Sequence, residues 1–251
     1  MGWLSAQMAG IFRRYECPVF QLHHVGVFSA PMSLSPQQFQ LIMQSLKDLG
    51  CTTLSLEDYI DQLDLPRRPD QRQMVLTCDD ALVGVYENAW PILREFGFQA
   101  TIFLPTDFIG GRSEWMTHIP GASQIPLLSW AQVEEMSKDP LISFGTQTNT
   151  HPDLTQVSPQ RCHQEIKDSC AEIQEKLGIE AKTLVYPFGR FNDRVLNEVK
   201  QAGLLGACTD IQGVRNQWRD RFQLKRVSIL PTSSPRSLQM AFSPSFRALR
   251  G

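Results

Sequence analysis

A chain of 251 residues is long enough for one large α/β domain with a sizeable buried core, or for two small ones. Its composition, 42% hydrophobic and 20% charged, is that of a globular protein, and a formal net charge of −2 removes the electrostatic case for nucleic acid or an anionic membrane surface as partner. Six cysteines at irregular spacings, with no CxxC, read as reduced thiols rather than as a disulfide framework.

Residues 1–12 are uncharged and fairly apolar and precede Arg13 and Arg14, the reverse of the order in a secretory signal. A stretch that short does not span a bilayer. The expectation is a docking segment or frayed end on a cytoplasmic protein with no transmembrane segment. A strand follows at 19–22. Ser35-Pro36-Gln37-Gln38 then reads as an N-cap, a proline at the first helical position and a capping-box glutamine, before Phe39, Ile42, Met43 and Leu46 repeat at helical spacing. A strand at 51–54 and a short helix from Ser55 come next. The alternation continues with strands at 74–77, 100–104, 141–144, 183–185, 205–208 and 227–230. Between them lie helices carrying Tyr86 to Phe96, Trp130 to Met136, Cys162 to Leu177 and Asp193 to Ala202. Cys162 and Cys170 fall on the apolar stripe of the longest helix, where cysteine packs as a small hydrophobe. Residues 110–128 form a long loop without periodicity, a candidate binding loop or lid.

Strands alternating with helices imply parallel pairing, because a parallel return needs a crossover long enough for a helix. Seven or eight such units with no break in composition predict one closed βα barrel. An N-terminal extension at 1–17 and a C-terminal tail at 233–251 flank it, and a doubly wound open sheet is the alternative. Barrel chemistry sits at the C-terminal strand ends. Those positions hold His23 and His24, Asp79 and Asp80, Gln147 to His151, and Tyr186-Pro187-Phe188-Gly189. Adjacent carboxylates disfavour each other's ionisation, a cost that a bound cation relieves. His118 and His163 read as lone surface histidines, and Trp115 in the long loop as a sugar-contacting aromatic or a pin to the core.

Four segments carry a resemblance. LTCDDALVGVYENAWPILREFGFQATIFLP, LLSWAQVEEMSKDPLISFGTQTNTHPDLT, LVYPFGRFND and PVFQLHHVG stand in the order of the motifs of the polysaccharide deacetylase (NodB-homology) family. They resemble in turn its TFDDG and ATFF strands, its SWxQ helix with GSHTxxHPxLT, its YPxG variant, and the N-terminal YHxV signature of permuted members. The resemblance covers roughly Pro18 to Thr232. It implies a single distorted (β/α) barrel of about seven parallel strands at 18–232, and a hydrolase that removes acetyl groups from N-acetylated saccharides with a divalent metal, usually zinc. In that scheme Asp79 is general base, Asp80 and His151 are metal ligands, and His23 is the general acid. Tyr186, Pro187, Phe188 and Trp115 contact substrate, and a backbone N–H near Tyr186 helps the metal hold the oxyanion. Gln147 stands where the family has a ligand histidine and is a weak ligand at best, with His24 a candidate substitute. Ala81 replaces a glycine, and Val185 an arginine that orients the base. A non-catalytic carbohydrate-binding relative is the alternative function, and nothing in the sequence sets an oligomeric state.

Overall fold

The computed structural model describes residues 16–28, 31–63 and 72–243. In chain order these hold β1 (Val19–Leu22), the short β2 (His24–Val25) and β3 (Ser33–Leu34), α1 (Pro36–Asp48), β4 (Thr52–Leu54), α2 (Leu56–Asp61) and β5 (Gln73–Cys78). Then come α3 (Trp90–Phe96), β6 (Ala100–Leu104), α4 (Trp130–Ser137), β7 (Ile142–Thr146), α5 (Pro159–Leu177) and β8 (Thr183–Val185). α6 (Asp193–Gln201), β9 (Gly206–Gln212), β10 (Leu224–Ser228) and α7 (Pro235–Met240) complete the series. Ser35 and Ser129 close capping boxes with Gln38 and Gln132, and proline opens α1 and α5, so these helices begin where the sequence placed them.

The sheet closes. β1 pairs in parallel with β10 on one side and with β5 on the other, the latter from Val19↔Val75 to Leu22↔Cys78. The ring β1-β5-β6-β7-β8-β9-β10 is therefore a seven-stranded parallel barrel, and the open-sheet alternative is excluded. Its distortion lies at β4, which takes the first half of β5 while β6 pairs only with Thr77 and Cys78.

Period-2 alternation explains how the barrel is filled. Val19, Val75, Phe103, Val185, Cys208 and Leu224, one from each of six barrel strands, form a single buried cluster with Leu56, Tyr59 and Ile60 of α2. The seventh strand contributes Gly145, where a Cβ would lie 2.6 Å from the Phe103 ring and 2.8 Å from the Thr183 carbonyl oxygen. Two residues further along, five of the seven strands continue that parity with Gln21, Thr77, Gln147, Asp210 and Arg226, prolines standing at 105 and 187, and the next step on β1 and β5 is His23 and Asp79. The filler layer and the site thus share one parity.

Of the extension expected at 1–17, residues 1–15 lie outside the described residues, and Cys17 is buried in the filler cluster. Within the segment expected as a tail at 233–251, α7 packs on α1 and Phe242 is buried edge-on to Phe20. The sequence reading missed this short helix, whose buried face is little more than Leu238. All six cysteines are free thiols, and no helix among the described residues is long and apolar enough to cross a membrane.

Candidate active site

The mouth of the barrel carries two adjacent carboxylates that face different partners. Asp79 is 3% exposed, and its backbone N–H donates to Leu22 O across the β1–β5 seam. Arg226 of β10 clasps it with two 2.7 Å hydrogen bonds, Nη1 to Oδ1 and Nη2 to Oδ2. The remaining guanidinium donors go to Thr77 Oγ1, Thr209 O and Asp210 Oδ1, so all five N–H groups of a fully buried arginine are used. Burial opposes the guanidinium charge, and the Asp79 and Asp210 carboxylates overcome it and raise the arginine pKa further. His23 stands across from Asp79, with Nε2 3.9 Å from Oδ2. Arg226 thus supplies, from another strand, the arginine that Val185 lacks. The sequence reading missed Arg226 and Asp210 because it began the last strand at Val227 and so left the inward Arg226 outside it.

Asp80 is turned away from that pair by a left-handed backbone, φ 68, and Ala81 (φ 48), Thr148 (φ 68) and His151 (φ 51) share that region. With Phe188 (φ 58), five non-glycine residues held there at one mouth mark a site that its surroundings over-determine. For the 148–151 loop those surroundings are α5. Buried Glu165 accepts from Thr150 N at 2.7 Å and from Thr150 Oγ1 at 2.6 Å, and its carbonyl accepts from Asn149 N. His151 is thereby fixed between Trp115, stacked at 4.3 Å, and the edge of Phe188 at 4.8 Å.

Asp80 Oδ1 and His151 Nε2 lie 3.6 Å apart, a spacing two ligands of one cation could share. The Gln147 carboxamide, however, presents nitrogen to both: Nε2 is 2.8 Å from Asp80 Oδ1 and 3.0 Å from His151 Nε2, while Oε1 accepts from Asp80 N at 2.7 Å. An N–H donor is no metal ligand. Two donors of the expected zinc set are in place, and the third is replaced by a group that uses their lone pairs. As arranged, the three side chains do not fit a resident divalent ion. Burial alone would push the Asp80 carboxyl up. His151 beside it, the charge of His23 and the Gln147 amide outweigh it, holding that carboxyl below its ordinary range.

His23, Asp79, Asp80, Gln147 and His151 do converge on one cleft, and Trp115 and Phe188 line it. Other expectations need correction. Tyr186 reaches the cleft, but its ring is 1% exposed, its hydroxyl donates to Phe222 O, and its backbone N–H donates to Cys208 O, leaving neither for a substrate or an oxyanion. Pro187 is buried beside it, outside the lining. His24 is not a substitute ligand. It packs against Ser33 Oγ at 3.0 Å and edge-on to Phe28, and burial lowers its pKa to about 4. His118, read as a lone surface histidine, lines the cleft with Met32, Met116 and Asp210, whereas His163 sits on the surface beside Glu198. Gly189 lets Asp210 in, since a Cβ there would lie 2.5 Å from the carboxylate.

The polysaccharide deacetylase family profile matches residues 67–207, more than half of the chain. The chain belongs to that family. YxkH of Bacillus subtilis (strain 168) is 24% identical over 219 residues, 87% of this chain and 73% of that protein. Poly-beta-1,6-N-acetyl-D-glucosamine N-deacetylase of Staphylococcus aureus (strain MSSA476) is 27% identical over 180 residues, 68% of this chain, which spans only 59% of that enzyme's length. Among solved structures, the Streptococcus pyogenes deacetylase PplD in complex with acetate superposes with a TM-score of 0.79 at 28% identity, covering 92% of this chain and 100% of that one. IcaB from Ammonifex degensii gives the same TM-score at 19% identity, over 92% and 99%, a likeness of fold alone.

Proposed function

We propose that this chain hydrolyses the acetamido group of N-acetylated saccharides, with Asp79 as the general base. The observation that carries the reading is the Asp79–Arg226 pair at the cleft. It is a carboxylate held in one orientation by a buried bidentate guanidinium, with an imidazole opposite it. In this reading Asp79 takes a proton from water as its oxygen attacks the acetyl carbon. His23, in its protonated form, gives its proton to the departing nitrogen as the C–N bond breaks, leaving acetate and a free amine. Trp115 and Phe188 offer aromatic faces to a sugar ring. The family, and relatives named for N-deacetylation of poly-N-acetylglucosamine, support the substrate class.

No step here runs through zinc, because the Gln147 amide turns N–H donors, not a ligand atom, toward Asp80 Oδ1 and His151 Nε2. That same feature favours a second reading, a barrel that binds N-acetylated sugars without turnover. Incubation with an N-acetylglucosamine oligomer separates the two. Acetate and free amine released in equal amounts support hydrolysis; a saturable binding isotherm with no acetate supports binding alone.

A further inference from the structure

We infer that the Gln147 carboxamide takes the place of a divalent cation in this chain, so that the barrel mouth is assembled and complete without metal. Three observations carry this. The first is that a primary amide has two N–H donors and one acceptor oxygen, and each has its partner here: Asp80 Oδ1, His151 Nε2 and the Asp80 backbone N–H. The second is that the orientation is forced. Reversing the amide would set its N–H groups against the Asp80 N–H and its oxygen against the Asp80 carboxylate, exchanging two hydrogen bonds for two repulsions whichever ring nitrogen of His151 carries the proton.

The third concerns His151. Accepting at Nε2 puts its proton on Nδ1, which is buried with no hydrogen-bond partner among the described residues. Histidines built as metal ligands donate that second N–H to an acceptor that fixes the ring and strengthens the ligand. Here the ring is fixed instead by Trp115 on its face and Phe188 at its edge. Removing the amide to admit an ion would break three hydrogen bonds inside a pocket where Asp80, Gln147 and His151 are each less than 5% exposed.

The test is a zinc chloride titration of the metal-stripped protein by calorimetry, with thermal unfolding followed in parallel. Wild type is expected to show no saturable uptake at the mouth and no change in Tm with zinc or chelator. Gln147→His, which replaces the donor with an imidazole, is expected to bind one zinc at least about tenfold more tightly and to gain Tm with zinc. Uptake that survives in Asp80→Asn lies elsewhere on the surface and leaves the inference standing. One zinc bound by wild type as tightly as by Gln147→His, with a Tm gain abolished by Asp80→Asn, would overturn it. Should Gln147→His fail to fold, Gln147→Glu serves. It removes both N–H donors and faces Asp80 with a second carboxylate, so its metal-free Tm should fall and zinc should restore it. An unchanged metal-free Tm for Gln147→Glu would equally overturn the inference. Because the readouts are metal uptake and stability, loss of the deacetylase reading would leave them unchanged.

Discussion

The two halves of the barrel mouth each hold a buried carboxylate, and they hold it by opposite means. Asp79 is met by a full positive charge, the Arg226 guanidinium, which is itself shared with the half-exposed Asp210. Asp80 is met by a neutral amide and an imidazole in a closed triangle. A charge-paired carboxylate keeps lone pairs and a cleft-facing side, and so can still accept a proton. At Asp80 a single neutral amide donates to both Oδ1 and the facing His151 Nε2, the two atoms that would otherwise be offered to a cation. Adjacent residues of one sequence motif thus come to different uses because a single left-handed residue at 80 points them apart.

The sharpest way to break the comparison is to remove the charge on the first side. Arg226→Met should destabilise the fold by about 3–5 kcal/mol, since it strands Asp79 as an unpaired buried charge. Urea unfolding should show it, and Asp79→Asn in the same chain should recover much of the loss. On the second side Gln147→Ala removes neutral donors only. About 1–3 kcal/mol is expected for the polar atoms left without partners, by the same measurement. Equal losses on the two sides would erase the distinction.

Acid should separate the halves too. The folded Asp80 carboxyl lies below its ordinary value of 3.8, so its contribution is fully present above that value. It is lost as pH falls through the lower folded value. Wild type should therefore lose stability more steeply on acidification below 3.8 than Asp80→Asn does; parallel slopes in acid urea titrations would show that the triangle does not hold the ionised form. The smallest effect is expected for Asp210→Asn. Its side chain is 47% exposed and Arg226 keeps its other four bonds, so the loss should stay within about 1 kcal/mol.

Much of this was legible in the sequence, for identifiable reasons. The alternation of apolar strands with capped helices predicted a parallel barrel, and strand ends predicted that His23, Asp79, Asp80 and His151 would meet. β10 was harder. Lys225 and Arg226 look like loop polarity, and only the parity counted from Leu224 turns Arg226 inward, where Asp79 makes its burial tolerable. Gln147 was found at the right place, but not the way its amide turns. Which end of its amide faces the pocket is decided by the Asp80 backbone N–H, brought there by a φ of 68 that no residue type at position 80 announces. Tyr186 does line the cleft, but a motif position could not say that its hydroxyl is taken by the Phe222 carbonyl.

The central claim is that Asp79, oriented by Arg226, is the working carboxylate of a saccharide deacetylase. Acetate release from an N-acetylglucosamine oligomer by wild type and Asp79→Asn, assayed side by side, tests it most directly. The account predicts measurable release by wild type and a fall of at least about 100-fold in the variant, the scale of losing a general base, with oligomer binding retained. Equal release by both proteins, or none from wild type while the oligomer still binds, would contradict it.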